Sequence, residues 1–303
     1  MGTLTLLITG ASGFLGRACV SAALARGHKV RALSRHATTW PDGVEAIVAD
    51  LSEGLEASLL TGVDAILHTA ASVSNDADAL SRDTIWATER LVAGAETAKV
   101  PPLVVLASSI AVYDGDATGV IDEATALEPD LGAREAYVGA KCAQEVALCQ
   151  SGLRGWCLRI GALYDDERRW NAHIGAKRAA LLVSLGRKGE VPLLHVQDAA
   201  EAMVRAAETA PDGPCEALNI VETAPPSRAE YIAQEHNGLH VPLPWQLLVP
   251  FAWLTNALLG QRAPGLLRPK VLRARMQAVS YSNDRAKARL GWLPQKQFVR
   301  RAE

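Results

Sequence analysis

The sequence lacks the marks of several large classes. Its five cysteines, Cys19, Cys142, Cys149, Cys157 and Cys215, show none of the paired spacings of a metal site, so no metal is expected. Most of them fall in predicted helices or strands, as small buried hydrophobes do, which points to a reducing, cytoplasmic compartment. Charge of one sign is not in excess. Lysine and arginine total 31 against 33 aspartates and glutamates, a net charge of −2, and nothing there suggests nucleic acid as a partner. The N-terminus enters an apolar run directly, without a charged n-region or cleavage site, so no signal peptide is expected. Internal repeats and low-complexity tracts are absent. So is an unbroken hydrophobic run. The most apolar stretch, Val241 to Leu259, is interrupted by Pro242, Pro244 and Pro250 and is too broken for a good spanning helix. It reads as a helix kinked at Pro250 that packs over a substrate pocket. The competing reading is a segment lying in a membrane interface.

What is present is a chain of 303 residues, 49% hydrophobic, enough for one large domain or a domain with a smaller lobe. It opens with Leu4-Thr5-Leu6-Leu7-Ile8-Thr9, a β-branched apolar run that reads as a strand buried on both faces. Gly10-Ala11-Ser12-Gly13-Phe14-Leu15-Gly16 follows, then a helix from Arg17 to Arg26 with Cys19, Val20, Ala23 and Leu24 as its apolar stripe. Strand, glycine turn and helix form the layout that holds a dinucleotide pyrophosphate. Gly10 permits the tight turn, Gly13 admits phosphate oxygens, and Gly16 lets the helix lie near the strand.

Lys29 to Leu33 is a second strand ending at Ser34-Arg35-His36. An acid at this tip would bond the ribose 2′-hydroxyl of NAD, and a base would take a 2′-phosphate. The tip offers Arg35 and no acid, so NADP is favoured over NAD, with Arg35 as the phosphate clamp. Ala46 to Ala49 is a third strand ending in Asp50-Leu51. That acid suits either the adenine amino group or the cap of the next helical turn near Ser52. Ala65 to Ala71 is a fourth strand, whose small Ala70 and Ala71 leave room for a cofactor to cross the sheet edge. His68 within it reads as a satisfied core histidine. A helix over Leu80 to Lys99 leads to a fifth strand, Leu103 to Ser109, with Ser108 and Ser109 at its C-terminal end. The alternation implies a doubly wound parallel sheet, an α/β fold whose ligands sit beyond those ends.

Tyr137-Val138-Gly139-Ala140-Lys141 then opens a helix, and its tyrosine and lysine lie four apart on one face. A phenol near pKa ~10 is a poor acid–base group at neutral pH. A neighbouring ammonium favours the phenolate and lowers that value. The same lysine can hold the cofactor ribose, and Ser109 can donate to the substrate oxygen.

With these residues in place the chain resembles the extended short-chain dehydrogenase/reductases, a group that includes nucleotide-sugar epimerases and dehydratases, dihydroflavonol reductase-like and 3β-hydroxysteroid dehydrogenase-like enzymes. The resemblance rests on Thr9 to Gly16, Ser108 to Tyr113, Tyr137 with Lys141, Leu158-Arg159-Ile160 with Tyr164, His195 to Ala200, and Asp284 to Pro294. It implies that Tyr137 is the catalytic acid/base, Lys141 its partner and Ser109 the polarising hydroxyl, with His195 structural. It also implies dimers through the helices near Leu80–Lys99 and Tyr137–Ser151. The chain departs from the family pattern at Thr84, where an asparagine often serves a proton relay. It departs again at Ile110-Ala111, where a sugar dehydratase usually carries Asp-Glu.

Cofactor binding is thereby expected from Gly10, Ser12, Gly13, Phe14, Leu15, Gly16, Arg35, Asp50, Leu51, Ala70, Ala71, Ser108, Tyr137 and Lys141. Residues 1–160 form the expected Rossmann domain, with 191–220 returning to it. Residues 161–190 and 221–303 form a smaller substrate lobe. Within that lobe Trp170 to Leu185 reads as a helix, and Leu193 to Val196 as a short strand returning to the sheet. Arg262, Arg268, Lys270, Arg273 and Arg275 read as a solvated helix face, with an acidic substrate as the alternative. Three activities compete: hydride transfer between NADPH and the carbonyl of a fairly apolar small molecule, nucleotide-sugar epimerisation with bound NAD, and non-catalytic redox sensing. The apolar Val241–Leu259 segment and Arg35 rank the reductase first.

Overall fold

Strands whose residues are apolar on both sides need cover on both sides, and the chain supplies it with helices. In Thr5–Thr9 (β1) the side chains of Leu6, Leu7 and Ile8 are wholly buried. A computed structural model describes residues 2–72, 74, 76–169, 174–178, 180–186, 188–260, 263 and 265–298. After β1 come α1 (Phe14–Ala25), β2 (Lys29–Ser34), β3 (Val44–Val48), β4 (Ala65–His68), α2 (Ala77–Leu80), α3 (Ala87–Glu96), β5 (Leu103–Ser109), β6 (Gly119–Ile121), α4 (Ala136–Cys149) and β7 (Gly155–Ile160). The second half adds β8 (Ala162–Tyr164), β9 (Gly175–Arg178), β10 (Leu181–Leu185), β11 (Leu193–His195), α5 (Val196–Glu208), β12 (Cys215–Ile220) and α6 (Arg228–Glu235). The last elements are β13 (Leu239–Leu243), α7 (Val249–Leu259), α8 (Pro269–Met276), β14 (Val279–Tyr281) and α9 (Asp284–Leu290).

Seven strands run parallel in the order β12-β7-β5-β4-β1-β2-β3. The chain winds outward from β1 to β3, returns to β4 on the other side of β1, and winds outward again. The reversal lies between β1 and β4, whose C-terminal ends therefore open a crevice of the kind in which such sheets bind ligands. One face is covered by α1 and α5 through Cys19, Val20, Ala23, Ala199, Met203 and Ala206. The other is covered by α3 and its neighbours through Leu51, Leu60, Leu91, Val92 and Ala95. His195 caps α5, its Nδ1 accepting from the Gln197 amide at 3.2 Å. Asp198 in the first turn of α5 accepts from the amides of Gln295 and Lys296, which ties down the C-terminal segment.

Several expected elements differ. The helix expected over 170–185 is a strand pair instead, with residues 170–173 and 179 outside the described residues. β10 pairs antiparallel with β9 and parallel with β13. Leu182 and Ser184 point inward while Leu181 and Val183 face outward, and this period of two overrides the helical reading. The expected helix over Leu80–Lys99 is broken by a wide π turn at Ser81–Trp86 between α2 and α3. β12 joins the main sheet, but among the described residues β11 pairs with β8 alone.

The apolar stretch is also not one kinked helix. It forms β13, a short turn at Trp245–Leu248, and α7. Pro250 lies in the first turn of α7, where it interrupts no hydrogen bond and bends nothing. Ala252 packs against Leu272 and Met276, while Phe251, Trp253, Leu254 and Leu258 remain exposed. Among the described residues no helix is long and apolar enough to cross a membrane. Finally, the cysteines are not all free thiols. Cys149 and Cys215 are joined in a disulfide with their Cα atoms 5.1 Å apart, because β12 adds beside β7 and its first residue meets the end of α4.

Candidate active site

The glycine turn is shaped by two close approaches. Gly10 has φ +64°, and a Cβ there would lie 2.7 Å from the Ala70 Cα. A Cβ on Gly16 would lie 2.2 Å from the Gly10 carbonyl oxygen. Only glycine fits either place. The Gly13 amide donates to the Gly10 carbonyl at 2.9 Å, and α1 starts at the next residue with no side chain capping its first amides. Those free N–H groups and the helix dipole suit a pyrophosphate, so the turn fits a dinucleotide. Gly10, Gly13, Phe14, Leu15 and Gly16 line a cavity of about 710 Å³ that also reaches Ala71, Ser108, Ser109, Tyr137 and Lys141. Ala70 backs Gly10 from behind. Ser12 lies exposed at the rim, where its carbonyl accepts from Arg17 Nε at 3.0 Å.

The tip of β2 is not free of acid. Asp83, from the π turn, lies with Oδ2 3.0 Å from an Arg35 guanidinium nitrogen and also pairs with Arg82. Sequence adjacency hid this acid, because it arrives from an element 48 residues further on. Asp50 accepts from the Ser52 amide at 2.9 Å and caps the short turn Leu51–Glu53. That bond, helped by Arg35, holds its carboxyl below the usual range. Of the two roles open to Asp50, capping is the one visible. Leu51 is turned into the apolar layer. Arg35, Asp50 and Leu51 lie outside the cavity wall.

Tyr137 and Lys141 stand on α4 at the end of β5. Burial raises the Tyr137 phenol above its ordinary value, opposed by a hydrogen bond with the Ser109 hydroxyl. Lys141 is buried, its Nζ donating to the Ala107 carbonyl and to Gln144 Oε1, both at 2.8 Å. Burial pushes the ammonium down to about 8, with Glu145 acting against it. The expectation that Lys141 lowers the phenol is corrected here. Its Nζ is 5.9 Å from the Tyr137 ring centroid and is directed at a carbonyl and an amide. Ser109 is the group that favours the phenolate.

A polar network beneath these residues was missed. Gln144 Nε2 donates to the Thr88 hydroxyl at 2.6 Å, which donates to the Thr84 carbonyl. His68 bridges the Thr88 and Thr9 hydroxyls at 2.9 and 2.7 Å, and burial drives it down to about 3. It is a satisfied core histidine. Thr84 accepts from the Ser72 amide at 2.8 Å and so anchors the loop after β4. Ser108 lines the cavity, and its hydroxyl donates to Glu145 Oε1 at 2.6 Å. Glu145 in turn takes a two-point contact from Arg159, at 3.0 and 2.8 Å. Arg159 also reaches the Tyr113 hydroxyl at 3.1 Å. Gln144 and Glu145 lie three and four residues beyond Lys141, and that helical spacing is the signal that could have found them.

On the substrate side the cavity meets Arg134, Arg228 and Arg275, of which the first and last are paired with carboxylates and Arg228 is bonded to carbonyls alone, with its Nε unbonded. Arg134 pairs with Glu128 at 2.9 Å, and Arg275 with Glu135 at 2.8 Å. Arg228 donates to the carbonyls of Arg275, Met276 and Gln277 at the end of α8. The basic face expected over 262–275 is largely paired, although Arg273 remains exposed to solvent. Arg268 holds the carbonyls of Gly132 and Arg134, Lys270 meets Glu128, and Arg273 meets Asp116, while Arg262 lies outside the described residues. None of Val241–Leu259 lines the cavity, which corrects the expectation that this segment covers it.

A doubly wound parallel sheet with a glycine turn at its switch point, and a serine, tyrosine and lysine converging at the end of β5, defines an extended short-chain dehydrogenase/reductase. The chain belongs to the NAD dependent epimerase/dehydratase family, which it matches over residues 6–220. It is 30% identical to a 3-diazoavenalumate denitrifying reductase of a Streptomyces species, over 95% of both chains. It is 27% identical to a 4-hydroxy-2-methyl-3-oxo-4-farnesyl-3,4-dihydroquinoline-1-oxide ketoreductase of Stigmatella aurantiaca, over 94% of this chain and 90% of that one. Among solved structures, the UDP-Glc/GlcNAc 4-epimerase of Campylobacter jejuni superposes with a TM-score of 0.73 at 16% identity, covering 97% of this chain and 95% of that one. The protein is an NAD(P)-dependent enzyme of this family.

Proposed function

We propose that the protein is an NADPH-dependent carbonyl reductase for a small, weakly polar ketone or aldehyde. The observation that carries this reading is the state of the cations around the cavity. A nucleotide-sugar substrate brings a diphosphate that needs unpaired arginine or lysine. Among the described residues Arg134 and Arg275 are paired with carboxylates, and Arg228 spends both terminal nitrogens on carbonyls, although it has no carboxylate partner and its Nε is unbonded. Ile110, Ala111, Ile160, Leu163 and Val279 give the remaining wall an apolar character. The two relatives matched along most of their length bear the names reductase and ketoreductase, which supports the same choice.

In this reading Tyr137 gives its proton to the substrate carbonyl oxygen, and Ser109 hydrogen-bonds that oxygen and the phenol together. The bound nicotinamide supplies the hydride. Lys141 holds the cofactor ribose. The free amides of Phe14 and Leu15 receive the pyrophosphate, and Arg35 takes the 2′-phosphate. The test is NADPH oxidation against a panel of apolar ketones, aldehydes and nucleotide sugars, with Tyr137→Phe alongside. The variant is expected to lose at least about a hundredfold in turnover while binding NADPH as before. Full turnover by the variant, or activity confined to nucleotide sugars, would overturn the reading.

A further inference from the structure

Three cysteines, two of them eight residues apart and the third 58 residues further on, meet at one point on the side of the sheet opposite the glycine turn's helix. Cys149 ends α4, Cys157 is the third residue of β7, and Cys215 opens β12. Their sulfurs all lie within 4.8 Å of one another. Cys149 and Cys215 are bonded, and the Cys157 sulfur is 3.8 Å from the first and 3.7 Å from the second. Cys149 is exposed, Cys215 half-buried and Cys157 buried, so the cluster has an outer and an inner end. Leu148, Leu153 and Ala217 belong to the same apolar layer as Cys157 and Cys215. The remaining two cysteines, Cys19 and Cys142, are buried free thiols outside the cluster.

We propose that Cys149, Cys157 and Cys215 form a reversible thiol–disulfide site, in which Cys149 is the entry point for a hydroperoxide and Cys157 is a standby partner for either neighbour. The exposed Cys149 thiolate attacks the outer oxygen of the hydroperoxide. An S–O bond forms, the O–O bond breaks, and an alcohol or water leaves with a proton. The Cys215 thiol then attacks the sulfenic sulfur, forming the S–S bond and releasing water. The two thiols give up two electrons in total, and the peroxide bond takes them. A small dithiol reverses the oxidation by exchange at the exposed sulfur. Cys157 lies within contact distance of both bonded sulfurs, so it can displace either one without net oxidation. A single pair would need no third sulfur. Its presence makes the site tolerant of losing either partner.

The disulfide fastens the last residue of α4 to the sheet. That helix carries Tyr137 and Lys141 in its first half, so the site lies on the catalytic element but two turns away from its chemistry. The inference stands apart from the reductase reading, and its readout is thiol count and connectivity rather than turnover. Purified full-length protein is reduced with dithiothreitol, desalted, treated with hydrogen peroxide, and alkylated in denaturant. Untreated reduced protein is expected to take five alkyl groups, and oxidised protein three, one on each of Cys19, Cys142 and Cys157. Peptide mapping should join the fragments of Cys149 and Cys215. In Cys215→Ser the new bond should join Cys149 to Cys157, and Cys157→Ser with Cys215→Ser should form no internal disulfide. Dithiothreitol should restore all thiols. Five alkyl groups after oxidation, a bond to Cys19 or Cys142, or a metal ion retained on three intact thiols would each overturn the proposal.

Discussion

Replacing Arg35 by alanine separates the two nicotinamide cofactors in a way that the geometry at the tip of β2 allows to be sized. A guanidinium bound to a phosphate makes charge-assisted hydrogen bonds worth about 1.5–3 kcal/mol. At about 1.4 kcal/mol per tenfold, Arg35→Ala is expected to weaken NADPH by about ten- to a hundredfold, leaving NADH within about twofold of its original affinity. Arg35 is not idle before the cofactor arrives. It sits 3.0 Å from Asp83, in a pair whose arginine is half exposed. Such pairs contribute about 0–1 kcal/mol, so releasing Arg35 costs little. Asp83→Asn should therefore tighten NADPH by up to about fivefold, and its effect should shrink in added salt. Both variants are read by titrating tryptophan or nicotinamide fluorescence with each cofactor at two ionic strengths. Equal losses of NADPH and NADH in Arg35→Ala would refute the clamp. A weakening of NADPH by Asp83→Asn would show that Asp83 orients Arg35 instead of competing for it.

Two further outcomes follow from the buried charges. Lys141 should lose its proton near pH 8, against about 10.4 in the unfolded chain. Between those values the native state binds fewer protons, so its contribution to stability rises with pH by about 3 kcal/mol in all. The stability difference between wild type and Lys141→Met, measured by urea unfolding from pH 7 to 10.5, should show that slope, and a flat difference would refute it. The same deprotonation should give the wild-type rate a falling limb above about pH 8. Glu145→Gln strands Arg159, whose side chain among the described residues bonds only Glu145 and Tyr113, and should cost about 3–5 kcal/mol in the same assay. A loss under about 1 kcal/mol would mean that water replaces the carboxylate.

Much of the sheet could be read from the chain because its signals are local. An apolar run followed at once by Gly10, Gly13 and Gly16 carries its own geometry, and β5 with Ser108 and Ser109 at its end was legible for the same reason. What could not be read depends on partners distant in sequence. β10 is a strand because β13, more than fifty residues later, lies beside it. Asp83 reaches Arg35 because of a π turn that no composition announces. The orientation of Ser108 was hidden too, since a hydroxyl at a strand end faces the cavity or the helix according to which acceptor is nearer, and Glu145 is at 2.6 Å. The meeting of three cysteines required the strand order β12-β7-β5, which places β12 beside β7.

The surroundings of Tyr137 decide which neighbour assists its proton transfer. Had Lys141 aimed its ammonium at the phenol, it would favour the phenolate directly. Instead the ammonium is held by Ala107 and Gln144, and burial keeps the phenol above its ordinary range. A phenol so placed can give its proton to a carbonyl oxygen in reduction, and the same group takes the proton back when the reaction runs in reverse. Ser109 then matters more than its small size suggests. It favours the ionised phenol, and so would stabilise the phenolate left behind after transfer. Ser109→Ala should therefore slow reduction through proton donation, with a larger effect on kcat than on KM, whereas a loss confined to KM would assign Ser109 to substrate binding alone.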